Sequence, residues 1–276
     1  MIKNNAKTAY RIFAKNKYYF FLNLINLSIG IACGILILLY LESFVSFDKH
    51  HTRHSRIYRV GYRFNTSAGR TMQNARSSEK IGPMFKDEYP EINAFVRFRD
   101  LDEITVNVNN RSFKENDFLS ADTNVFNVFT HHFIAGSPAN CFNKSNSIIL
   151  VQRLAAKYFG GEDPIGKTVL IDSTQYEVTG VIKDLPDNVH MKYSALVKFE
   201  PAGTQWFTLS CYTYILLNTK SDIQGIYQKY PQLFDKYMSE QAELVKATID
   251  IILEPLDKIH YHSDLPGDFP GGNKLY

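Results

Sequence analysis

Phe20 to Leu41, FFLNLINLSIGIACGILILLYL, runs for 22 residues without a charged side chain. At about 1.5 Å of rise per residue this stretch makes a helix of roughly 33 Å, enough to cross the hydrocarbon core of a bilayer. A secretory leader has a shorter apolar core with a small-residue cleavage site behind it. Here the run is followed by Glu42-Ser43-Phe44-Val45-Ser46-Phe47. The sequence therefore predicts a retained transmembrane helix over 20–44, and everything else about the chain is arranged around it.

The flanks set the direction of crossing. Lys3, Lys7, Arg11, Lys15 and Lys17 precede the span with no acidic residue among them, whereas Glu42 and Asp48 are mixed with Lys49, Arg53, Arg56 and Arg59 behind it. That bias predicts a cytoplasmic N-terminus and an extracytoplasmic region after about residue 44. Ile2, Ala6, Ala9, Tyr10 and Phe13 fall at helical spacing with Lys3, Lys7 and Arg11 between them. The pattern predicts an amphipathic helix over 1–19 on the cytoplasmic membrane surface; a plain basic flank is the alternative. Within the span, Asn23, Asn26, Gly30, Cys33 and Gly34 share one helical face. Two amides and a G-x-x-x-G suit close approach of another helix, and Asn23, Asn26, Gly30 and Gly34 are the candidate packing residues. Against that stands a simpler account, with the amides at headgroup level and a glycine pair of the kind common in spans. The 276 residues hold no second such run, so the partner helices would come from elsewhere.

Composition adds limits. A net charge of +3, with basic residues spread along the chain, gives no reason to expect a nucleic-acid partner. Cys33, Cys141 and Cys211 form no C-x-x-C pair. An extracytoplasmic location would permit a disulfide between Cys141 and Cys211, but nothing in the sequence brings them together.

From Arg56 onward strands and short helices alternate. RIYRVGYRF (56–64) reads as a half-buried strand, Ser77 to Tyr89 as a helix stopped by Pro90, and EINAFVRF (91–98) as a strand. The same order returns in CYTYILLNT (211–219), a helix over Asp222 to about Val245 interrupted at Pro231, and ATIDIILEPL (247–256). The stretch between is rich in strands. The fold class expected is α+β: an outer lobe of β-α-β units, about 55–102 and 208–258, interrupted by an inserted β-rich lobe of about 103–207 within an extracytoplasmic domain of 45–276.

GEDPIGKT (161–168) matches the phosphate-binding pattern G-x-x-x-x-G-K-[ST]. Such a loop needs a strand before it and a helix after it, so that helix-terminal amides face the phosphates. Here a helix, Gln152 to Phe159, leads in and a strand, Lys167 to Asp172, leads out. Pro164 lacks an amide donor, and Glu162 and Asp163 put negative charge where phosphate would sit. The motif reads as a turn, not a nucleotide site. His50, His51 and His54 are spaced as on a helix, with His131-His132 elsewhere, but no carboxylate or cysteine stands at ligand spacing. They read as a solvated juxtamembrane face. Trp206 reads as core or interface. No nucleophile setting or carboxylate pair stands out, so neither enzymatic activity, cofactor nor metal is expected.

Taken together, several stretches resemble the MacB/FtsX-like permease subunits of bacterial ABC transporters. They are YRIFAKNKYYFFLNLINLSIGIACGILILLYLESFVSFDKHH (10–51), RIYRV (56–60), YPEINAFVR (89–97), SIILVQRLAAKYFGGEDPIGKTVLID (147–172), YEVTGVIKDLPDNVHMKYSALVKF (176–199), YTYILL (212–217) and LEPLDKIHYHSDL (253–265). The resemblance implies a MacB-like periplasmic core domain in the inner membrane, with a separate cytoplasmic ABC ATPase subunit moving the spans. It also implies a homodimer or pseudo-dimer of permease halves, export or activation of a periplasmic partner protein, and GEDPIGKT as a standing feature of the domain. The chain stops at GGNKLY, about where a second span of that family begins, so a fragment of a longer permease or a truncated product is expected. A single-span sensor receptor with a similar extracytoplasmic domain is the alternative.

Overall fold

The computed structural model describes Lys15 and residues 17–203, 205–218, 223–262 and 265–269. The amphipathic helix expected over 1–19 lies almost wholly outside the described residues. Helix α1, Lys17–Val45, is 29 residues long. An 18-residue stretch within its segment Lys17–Glu42 has a mean hydropathy of 2.4, and this is, among the described residues, the one helix long and apolar enough to cross a membrane. Its polar hydroxyl is satisfied locally, since Ser28 Oγ donates to the Leu24 carbonyl at 2.7 Å.

The second unit begins at Phe47. Strand β1 (Ile57–Thr66), helix α2 (Ile81–Glu88) and strand β3 (Ile92–Asp100) form one β-α-β unit. Strand β12 (Tyr212–Leu217), helices α5 (Ile223–Tyr237) and α6 (Ser239–Val245) and strand β13 (Ala247–Pro255) form the other. These units interleave: β1 lies between β13 and β12, and β12 lies between β1 and β3, each pair antiparallel. The order β13-β1-β12-β3 is a split β-α-β, or ferredoxin-like, arrangement. Beyond β3 the sheet continues through β6 (Phe118–Ala121), β11 (Ala195–Lys198), β8 (Ser147–Val151), β10 (Thr174–Ile182), β9 (Thr168–Ile171), β4 (Ile104–Val108) and β5 (Arg111–Glu115). Strand β2 (Thr71–Asn74) adds to β1, and β7 (Phe133–Gly136) adds to β10. Helix α3 (Val125–Val128) precedes β7, α4 (Gln152–Phe159) follows β8, and α7 (Leu256–His262) follows β13.

Local sequence explains most of this. All six residues of YTYILL are buried. Tyr212, Tyr214 and Leu216 join one apolar cluster while Ile215 and Leu217 join the other, as a strand covered on both faces requires. Strand β13 is an edge, and tyrosines of α5 take up two of its outward backbone groups. The Leu253 N–H donates to Tyr227 Oη, the Ile249 carbonyl accepts from Tyr230 Oη, and Pro255 has no N–H to expose.

Two expected boundaries move. The helix expected from Ser77 starts only at Ile81, because Ser77 bonds to the sheet instead: its N–H donates to the Cys211 carbonyl at 2.8 Å and its Oγ to Thr213 at 2.9 Å. The interruption expected at Pro231 falls at Met238, and α5 runs through the proline. Pro231 stands on the exposed face of α5, where water can serve the carbonyl that its missing N–H leaves without a partner.

Candidate functional site

Only Ser46 separates α1 from a turn that is fastened into the domain. Asp48, at φ 57°, adopts the left-handed conformation that Asp tolerates better than most residues. Its side chain is buried, and the chain around it is held at both ends. The Asp48 N–H donates to the Asn188 carbonyl at 3.0 Å, and Asp48 Oδ1 accepts from the His190 N–H at 3.3 Å. Asp48 Oδ2 and His190 Nδ1 lie 3.0 Å apart, close enough for an ion pair though not aligned for a hydrogen bond. On its far side His190 Nε2 meets Tyr214 Oη of β12 at 2.7 Å.

The next residues reach a second connection, between α3 and β7. His51 Nδ1 accepts the Thr130 N–H at 3.0 Å, which makes it the bare nitrogen of a neutral ring. Thr52 N–H donates to Thr130 Oγ1 at 3.0 Å, and Arg53 Nη1 donates to the Asn127 carbonyl at 2.8 Å. The Phe47 ring stacks on His260 of α7 with centroids 3.4 Å apart. The post-span turn is thus clamped to α3, the α3–β7 connection, the β10–β11 connection and α7, and His190 carries the contact on to β12.

Histidines gather at this clamp, contrary to the expected solvated face. His50 and His51 lie in turns and His54 opens a 3-10 turn, His54–Arg56, so the helical spacing of the three is not realised. His51 is only 6% exposed, its ring 3.8 Å from His50 and 6.3 Å from His131 between centroids. His131 meets the Tyr193 hydroxyl through Nε2. Burial, then His50, His131 and His190, pushes His51 down to about 2. Burial likewise brings His131 down to about 4, against the contact with the Phe129 carbonyl, although that side chain keeps some exposed surface. His50 is lowered by burial despite the opposing charge of Asp48. Sequence reasoning missed this site because Asp48 and His190 stand 142 positions apart and nothing local marks either. Among the described residues, no group of three or more His, Cys, Asp or Glu is placed to hold a metal ion.

The other singled-out residues lie apart. In GEDPIGKT, the turn after α4 closes on itself. Gly160 and Gly166 carry φ of 63° and 78°, and the Ile165, Gly166 and Lys167 N–H groups bond to Asp163, Val178 and Pro164. Lys167 pairs with Glu162. These contacts occupy the donors and the cation a phosphate would use, and β9 follows in place of a helix. Asn23, Asn26, Gly30 and Gly34 are exposed on α1, and a Cβ added at either glycine would meet nothing within 4 Å. Cys141 and Cys211 are buried free thiols. Trp206 is 5% exposed in the cluster under α2 and α5, with Lys80 Nζ 4.4 Å above its ring.

The sequence profile of the MacB-like periplasmic core domain matches residues 20–229. A comparison with curated protein sequences finds no match. Among solved structures, a domain assigned to a permease protein of Porphyromonas gingivalis superposes with a TM-score of 0.67 at 18% identity, over 74% of this chain and 91% of that one. The periplasmic region of MacB from Actinobacillus actinomycetemcomitans gives 0.49 at 14% identity, over 72% and 90%. The extracellular domain of the noncanonic ABC-type transporter YknZ from Gram-positive bacteria gives 0.48 at 15%, over 70% and 99%. The first of these shares the fold of the sheet domain, and the profile match spans most of the chain: this protein belongs to the MacB-like periplasmic core domain family of ABC-type transporter permeases.

Proposed function

We propose that this chain is the N-terminal part of an inner-membrane ABC permease, with residues beyond about 45 in the periplasm, and that it has no enzymatic activity of its own. A cytoplasmic ABC ATPase subunit drives it, and the span relays that motion to the periplasmic domain for export or for activation of a periplasmic partner. Two permease halves, identical or homologous, complete the assembly. The observation that carries this reading is the one-residue link between α1 and a turn clamped to four parts of the sheet domain. Displacement of the helix end is delivered directly to a packed body, which transmits strain better than a flexible tether does.

The test is to insert six Gly/Ser residues between Ser46 and Phe47 in the complete permease, reconstituted with its ATPase in nanodiscs. The exposed Leu244→Cys, labelled with a maleimide, reports the periplasmic domain. Wild type is expected to change its labelling rate between ATP-bound and vanadate-trapped states; the linker variant is expected to hydrolyse ATP with the labelling rate constant. Equal nucleotide response in both proteins would show that motion does not pass through this link.

A further inference from the structure

We propose that the histidine cluster behind the span, with His51 and His190 buried at its centre, is an acid-released clasp, which holds residues 47–54 on the domain at neutral pH and frees them on acidification. Among the described residues, Asp48 is the one carboxylate whose charge bears on these imidazoles, with Asp268 and Arg59 facing Tyr214 from beyond. Asp48, His50 and His51 come from the turn, His131 and His132 from the α3–β7 connection, His190 and Tyr193 from the β10–β11 connection, Tyr214 from β12 and His260 from α7. Asp48 can offset one added positive charge; among the described residues a second has no counter-ion there. The space enclosed by Asp48, His50, His51, His131 and His190 is about 10 Å³, room for one water at most. His51 also loses its function on protonation, because Nδ1 must then donate while the Thr130 N–H it faces can only donate.

The sign follows from linkage. His51 and His131, the two most strongly lowered rings, stay neutral in the closed clasp and titrate near 6.5 once freed; His50 and His260 are lowered in the same direction. Their contribution to closure is therefore fully present above about pH 6.5 and is lost progressively as pH falls below it, down to the closed-state values. Between pH 7 and pH 5 each ring raises the opening equilibrium about 20-fold, and the two together by several hundred-fold. His51 is the more deeply buried of the two.

The experiment is hydrogen–deuterium exchange on the full chain in detergent micelles, at pH 7, 6 and 5, corrected for intrinsic exchange. Exchange of 47–54 is expected to rise at least about 20-fold from pH 7 to 5 while β8, deep in the sheet, stays protected. His51→Asn keeps an acceptor toward Thr130 and His131→Gln keeps one toward Tyr193, so the double variant is expected to remain closed at pH 7 and to lose most of that rise. A flat wild-type profile, an equal loss of protection in β8, or an undiminished rise in the double variant would each overturn the proposal. Should the double variant fail to fold, the wild-type profile decides: opening that begins only below about pH 4.5 would belong to carboxylates and sink the clasp. None of these readouts involves the ATPase, so they stand or fall separately from the coupling role.

Discussion

Arg59 shows how far a local pattern reaches. In RIYRVGYRF it alternates like an outward residue, yet its side chain is 0% exposed and pairs with Glu254 at 2.7 Å and with Asp268. Those partners stand 195 and 209 positions away, so periodicity had no means of showing that this charge is inside. Removing the arginine leaves two carboxylates against an apolar sheet face, and Arg59→Ala is expected to destabilise the domain by about 3–5 kcal/mol. Trp206, the sole tryptophan and buried, gives a fluorescence signal for urea unfolding of the full chain in micelles. Arg59→Lys, keeping charge without the fork, is expected to lie between the two. At Gly136 the constraint is backbone: φ is 79°, and a Cβ would press on the Thr179 carbonyl oxygen and sit 2.9 Å from the Gly180 Cα. Neither neighbour can swing away, so Gly136→Ala is expected to cost about 3 kcal/mol or more in the same assay, against about 1–2 kcal/mol for Gly160→Ala, which has open space around it and meets only the positive-φ penalty.

Elements were legible where their signal was local. The strand YTYILL, the helix Gln152–Phe159 and the reversed order around GEDPIGKT all follow from runs of a few residues, and the structure places them within a residue or two of expectation. Ser77 and Pro231 were misread for a common reason: a tertiary partner or a solvent-facing position overrode a propensity. For the GEDPIGKT turn, Lys167→Ala in the complete permease is expected to leave nucleotide-dependent activity nearly intact, since its amine serves Glu162; nucleotide affinity in the full chain that vanishes in this variant would contradict the turn reading. For α1, Gly30 and Gly34 have open space around them on a helix exposed at every described position, so the packing face rests on the sequence pattern. Gly30→Leu and Gly34→Leu are expected to weaken coupling by about 1 kcal/mol per contact at unchanged membrane level, while Leu36→Ile and Leu38→Ile do little. Normal activity at normal abundance would mean that the face looks onto lipid.

At the scale of the molecule, the two β-α-β units could be counted in the sequence, but their interleaving could not. Each unit's strands are separated by a strand of the other, and that choice is made by pairing across more than a hundred residues, as between Ile57 and Leu216. The clamp behind the span belongs to the same class of long-range fact. What the sequence did carry at this scale is the long apolar helix itself, through a run whose flanks are basic on one side and mixed on the other. The direction of crossing can be tested without disturbing the sheet. The turn Thr66–Arg70 between β1 and β2 is exposed at Gly69, where an added side chain would meet nothing within 4 Å. Alkaline phosphatase inserted at Gly69 is expected to be active, because it folds only where disulfides form, and the same enzyme fused at Asn5 is expected to be inactive. The positive-inside bias makes this prediction through Lys3, Lys7, Arg11, Lys15 and Lys17, so replacing those five by Gln is expected to erode the difference between the two sites. Activity at Asn5 with silence at Gly69 would invert the protein. The sheet domain would then share a compartment with the ATPase, and the periplasmic relay argued above would lose its geometry.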